Sequence, residues 1–170
     1  MSARPSRANL FFDPAQLIEL TRFYCDEVAA GQYPFIDYDA DERWHQRIYR
    51  DRRMDVWLIS WLPEQGTQLH DHGGSSGSFS VLSGTLTESV VGGGQCHELR
   101  RGAGDSVGFG AHYVHDVRNT SDAPAVSVHA YSPPLTTMTY YDLADGVLEP
   151  IASLATDDPE PAFEGLRCTG

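Results

Sequence analysis

From Arg43 to Leu143 the chain is a succession of short strand-forming runs cut by glycine-rich turns, and this rhythm restricts it to an all-β sandwich or barrel. Residues 43–50 and 54–62 flank the polar tip Asp51-Arg52-Arg53 and predict a hairpin. Residues 68–72, 78–83, 85–91 and 96–101 follow, punctuated by Gly73-Gly74, Gly84 and Gly92-Gly93-Gly94. Residues 106–109, 113–118, 125–131 and 138–143 complete the set, with a further turn at Asp145-Gly146.

Ahead of the strands lies one helical segment. Asp13 is a good N-cap and Pro14 suits the first helical position. Leu17, Leu20, Tyr24 and Val28 recur at helical spacing through residues 16–29, and Gly31 fits the C-cap. A length of 170 residues implies one domain. It is expected to span 13–154, after a disordered N-terminus at 1–12 and before a tail at 155–170 that opens on Asp157-Asp158-Pro159-Glu160-Pro161.

The formal charge of −12, with twelve arginines and no lysine, disfavours nucleic acid and anionic membranes as partners. Without lysine there is neither Schiff-base chemistry nor a P-loop. No apolar run reaches the eighteen or so residues of a membrane span, and the first residues lack an apolar signal core. The expected location is the cytoplasm. Cys25, Cys96 and Cys168 are odd in number and far apart, which argues against a disulfide framework or a cysteine zinc site.

The chemistry centres on His70-Asp71-His72. Alternate side chains of an extended strand share a face, so His70 and His72 point together and Asp71 points away. His115, on a different predicted strand, can complete a three-ligand face and leave the opposite side open. Alone, the pair could equally be two surface histidines. Three imidazoles also suit zinc, copper or nickel.

Strand rhythm and histidines together resemble the cupin superfamily, double-stranded β-helix (jelly-roll) barrels with a metal in the mouth. The first cupin motif is matched by Gly66-x3-His70-Asp71-His72 closing at Gly84, the second by Gly104-Asp105 and His115-x3-Asn119. Cupins commonly place a Glu ligand a few residues after the His pair, where this chain has Gly-Gly-Ser-Ser-Gly-Ser, so three neutral imidazoles are expected instead. Trp61-x8-His70-Asp71-His72, His115 and Ser127-Val128-His129-Ala130-Tyr131-Ser132-Pro133-Pro134 narrow the resemblance to the thiol dioxygenases of the cysteine dioxygenase type I family, over residues 43–141.

That resemblance implies Fe(II) held by His70, His72 and His115, with O₂ and a small thiol (cysteine or a relative) as partners and a sulfinic acid as product. It implies a Ser127–His129–Tyr131 relay that sets the phenol over the open positions. In animal members a Cys seven residues after the first metal His is cross-linked to the active-site Tyr; here that position is Gly77. The substrate carboxylate is expected to meet Arg47, or failing that Arg43, with His45 as a neighbouring contact, all three on one strand face. The other readings are a cupin oxygenase acting on a non-thiol and a binding cupin without catalysis. A monomer or small homo-oligomer is expected.

Overall fold

The computed structural model describes residues 10–33 and 35–159. Expectations for residues 1–9 and 160–170 lie outside them. Pro14–Ala29 form α1, whose capping box is complete: Asp13 accepts from the Gln16 amide and the Gln16 side chain accepts from the Asp13 amide. Gly31 follows the Ala30 cap at φ +81°, the left-handed conformation that ends a helix cheaply only at glycine. Phe12, inside the segment expected to be disordered, packs against the second hydrophobic cluster and donates its amide to Ser132 Oγ.

Ten strands follow: β1 (His45–Arg50), β2 (Asp55–Trp61), β3 (Ser76–Ser83), β4 (Thr85–Gly92), β5 (Gln95–Gly102), β6 (Ser106–Phe109), β7 (His115–Arg118), β8 (Ala125–Ser132), β9 (Thr137–Ala144) and β10 (Val147–Ala155). One layer is a five-stranded antiparallel sheet, β1-β2-β8-β3-β6. The other contains the β5-β4-β7 sheet and the β9-β10 hairpin. Residues 65–71 lie between β7 and β9 and tie these two together. His70 and His115 exchange backbone hydrogen bonds on one side, while on the other Tyr141 N–H donates to Leu69 and Asp71 N–H to Thr139. The result is a two-layered jelly-roll with one helix on its flank.

Two expectations about elements need correction. Residues 68–72 form no regular strand; within them only His70 makes isolated bridges, to His115 and to Tyr140. The reason is the turn that follows: Asp71 Oδ1 accepts from the Gly73 amide, and Gly73 and Gly74 take φ of +59° and +96°, which bends the chain out of the pleat just after His72. The chain also continues past Asp145-Gly146 into β10, where sequence had supplied no strand. Asp145 and Gly146 both have positive φ, as a tight hairpin turn requires. Pro150 hides the strand in the sequence, and the register slips between Pro150 and Ala152.

Strand alternation builds two cores. Trp57, Ile59, Trp61 and Tyr131 face the other layer together with Phe79, Val81, Leu86, Phe109 and Val117. Val56, Leu58, Val126, Val128 and Ala130 face outward and are covered by Leu17, Tyr24 and Val28 of α1. Strands β2 and β8 are therefore buried on both faces. That makes them a rigid base for whatever they point inward. Among the described residues no helix is long and apolar enough to cross a membrane. Cys96 is disulfide-bonded and Cys25 is free, so a disulfide forms even though the odd number and wide spacing of the cysteines argued against a disulfide framework: pairing depends on proximity in space, which sequence separation does not report.

Candidate metal centre and its cavity

Between the layers lies a cavity with about 260 Å³ of empty space including its mouth, lined among others by Arg43, Trp61, His70, His72, His115, His129 and Tyr131. His70, His72 and His115 are all buried, and one ring nitrogen from each lies within 4.8 Å of the others. The turn at Gly73 sets His72, the bridge to β7 sets His70, and β7 itself carries His115.

The proton of two of the rings can be placed. His70 Nδ1 lies 2.6 Å from the Gln68 carbonyl, which can only accept, so Nδ1 carries the proton and Nε2 keeps its lone pair. His115 Nδ1 lies 3.0 Å from Glu88 Oε1 and is fixed in the same way. His70 Nε2 and His72 Nε2 face each other at 3.2 Å. That is the spacing of two nitrogens sharing one ion at metal–nitrogen distances of about 2.0–2.1 Å. Burial, then the neighbouring histidines, hold His70 and His72 well below the usual imidazole range, so both are neutral as ligands must be. The donor set fits a divalent metal with open positions.

Beside it, Ser127, His129 and Tyr131 share the inward face of β8. Trp61 Nε1–H donates to Ser127 Oγ at 2.8 Å, and Ser127 Oγ lies 2.8 Å from His129 Nε2. Ser127 is fully buried, so its own proton needs an acceptor, and His129 Nε2 is the one in place. His129 Nδ1 then carries the ring proton and faces the Tyr131 oxygen at 3.4 Å. Burial first, then the neighbouring His115 and Arg43, push His129 down to about 3, so the ring stays neutral. Burial raises the Tyr131 phenol well above its usual value, so it keeps its proton. Because its oxygen is turned toward a donor, Tyr131 is left to donate. Its ring lies 4.9 Å from that of His72.

The three basic candidates share a face, as expected, but sit at different depths. Arg43 lines the cavity with its guanidinium 4.7 Å over the Trp61 ring; burial lowers it to about 10, which leaves it charged at neutral pH. Arg47 lies over Trp57 at 4.6 Å and bonds Asp157 at 3.0 Å; Arg50 bonds the same carboxylate at 3.1 Å. His45 reaches Asp158 at 3.0 Å. Thr156 N–H donates to Thr136, and the segment 156–159 reaches the cavity as a strap whose Pro159 lines it. Arg47 and His45 thus hold the strap, and neither is among the lining residues.

Sequence reasoning missed Glu88. It is fully buried on β4, where Oε1 accepts from His115 and from Tyr113 at 2.7 Å and Oε2 accepts from Arg101 at 2.6 and 2.9 Å. Burial alone would raise this carboxyl, but the bonds from His115, Tyr113 and Arg101 outweigh it and hold the group at about 2. The available signal was the alternation Leu86-x-Glu88-x-Val90, which puts a carboxylate on the inward face of an apolar strand.

Comparison with known proteins bears on this geometry. The sequence model of a family described as Cysteine dioxygenase type I matches residues 16–144. Human cysteine dioxygenase type 1 is 28% identical over 112 residues, 55% of this chain and 52% of the human protein; the chain spans about half the length of the curated relatives it matches. Among solved structures, TT1209 from Thermus thermophilus is similar at 26% identity and a TM-score of 0.52, covering 58% of this chain and 90% of that one. A Klebsiella pneumoniae protein with a double-stranded beta-helix domain shares the fold at 20% identity and a TM-score of 0.51, over 58% and 84% of the two chains.

Proposed function

Because the chain belongs to the cysteine dioxygenase type I family, we propose that it is an Fe(II)- and O₂-dependent thiol dioxygenase that converts L-cysteine or a related small thiol to its sulfinic acid. The overall change is RSH + O₂ → RSO₂H, with both oxygen atoms ending on sulfur. One observation carries the reading: three buried imidazoles converge beside a protonated tyrosine held at the end of a hydrogen-bonded chain.

His70, His72 and His115 would hold the iron. Held there, ferrous iron would supply coordination for a thiolate and for O₂. With no charge on its three ligands the site keeps its full positive charge, which favours a soft anionic sulfur. Arg43 supports the substrate's other end: a buried, charged guanidinium can take a carboxylate in a two-pronged bond. Trp61 serves both sides of the site, since its ring carries Arg43 and its N–H anchors Ser127. The chain Trp61–Ser127–His129 then turns the Tyr131 O–H into the cavity, where it donates to oxygen as the sulfur is oxidised.

The test is anaerobic reconstitution with Fe(II), followed by oxygen uptake with cysteine, 3-mercaptopropionate and cysteamine. Uptake is expected with the two carboxylate-bearing thiols and should be weaker with cysteamine, which has no carboxylate for Arg43. No uptake with any thiol would sink the proposal.

A further inference from the structure

Glu88 is a buried charge that the reaction outlined above does not use. A carboxylate with no exposure survives only if it is paired and hydrogen-bonded, and Arg101 alone would supply a complete ion pair. Yet the two oxygens are divided. Oε2 takes both Arg101 bonds, while Oε1 is turned to His115 Nδ1 and the Tyr113 hydroxyl. Strand register brings this about: Glu88 lies opposite Val117 on β7 and Leu99 on β5, so His115 and Arg101 are its diagonal neighbours on either side. Tyr113 also stacks on Phe109 at 5.1 Å, and Phe109 stacks on His72 at 4.9 Å. The network therefore encloses the rings of two of the three histidines.

We infer that Glu88 is a positioning residue of the metal centre, which fixes the tautomer and ring orientation of His115 and strengthens its nitrogen as a donor, with Arg101 balancing the charge. A carboxylate behind a ligating imidazole raises its basicity, and removing such a partner weakens metal binding by about 10–100-fold. The inference rests on the three histidines holding a metal, and not on which thiol is oxidised.

The test is an anaerobic titration of the full chain with Co(II) and with Fe(II) against a competing chelator, with the visible spectrum of bound Co(II) as a second readout. Glu88→Gln keeps the volume and one acceptor but loses the charge. It should bind metal about 10–100-fold more weakly and shift the Co(II) bands, while melting of the metal-free protein reports whether it is folded. If that variant does not fold, Glu88→Asp decides. It keeps the charge and the Arg101 pair but draws the carboxylate away from His115 Nδ1, and weaker binding with a shifted spectrum is again expected. A folded variant that holds Co(II) as tightly as the parent, with the parent's spectrum, overturns the inference and leaves Glu88 as a structural partner of Arg101. Thiol turnover is not read, so failure here is distinct from failure of the dioxygenase reading.

Discussion

Arg43 and Arg47 are four residues apart on one face of the chain, yet only Arg43 lines the cavity, while Arg47 bonds Asp157. On the proposed reading, Arg43→Gln would remove a charge-assisted contact to the substrate carboxylate worth about 1.5–3 kcal/mol and should raise KM for cysteine by roughly 10–100-fold. Arg47→Gln breaks a partly exposed ion pair worth about 0.2–1 kcal/mol and should change KM by no more than a few-fold. Steady-state oxygen consumption of the two iron-loaded variants checks this, and the reverse order would put the carboxylate at Arg47. Sequence alternation predicted the shared face of these residues, but not their depth. Depth depends on where the Asp157–Asp158 strap lands, and that is a contact more than one hundred residues away in the chain. The same division holds for the histidines. His70, His72 and His115 stood out by type and spacing, whereas Glu88 needed the pairing of β4 with both β5 and β7 before its partners could be known.

Among the elements, β3 and β6 show why a sequence departure is coupled to its surroundings. Gly77 on β3 pairs with Phe109 on β6 and with Tyr131 on β8. A Cβ at position 77 would overlap the Phe109 ring and press on Tyr131 at 3.2 Å. Glycine at position 77 is thus favoured by the packing of three strands. Gly77→Ala should destabilise by about 1–3 kcal/mol through overpacking. Adding Phe109→Leu should return part of that loss, and thermal melting of the single and double variants tests it. The helix, with its Asp13-Pro14 start and regular apolar spacing, was legible because those signals are local. Residues 68–72 were not: the alternation that aligns His70 with His72 also reads as a strand, and only the Asp71–Gly73 turn shows otherwise. The β10 strand was masked by Pro150, whose place beside a register slip cannot be read from sequence.

For the molecule as a whole, Asp55 sets part of the pH response. It is fully buried, and burial pushes its carboxyl from 3.8 to about 6 against the pull of the Trp57 indole, Arg47 and Arg50. A carboxyl with its folded pKa above its unfolded one binds the proton more tightly when folded. Its contribution to stability is therefore present at low pH and lost as pH rises through about 6. A shift of about two units corresponds to roughly 3 kcal/mol. Asp55→Asn abolishes the titration, so chemical denaturation at about pH 4 and about pH 8 should show the variant gaining on the parent by on the order of 2–3 kcal/mol at the higher pH. Equal differences at both pH values would exclude this role. The strap over the cavity has a consequence for how substrate arrives. Asp157 pairs with both Arg47 and Arg50, and Asp158 bonds His45, in a chain of net charge −12. With those charges paired, these described side chains give an incoming anion little long-range attraction, and the net negative charge of the chain repels one. On the proposed dioxygenase reading, a zwitterion such as cysteine would approach without that barrier and the anion 3-mercaptopropionate would meet it throughout its diffusion, so selection between thiols would begin in the solvent.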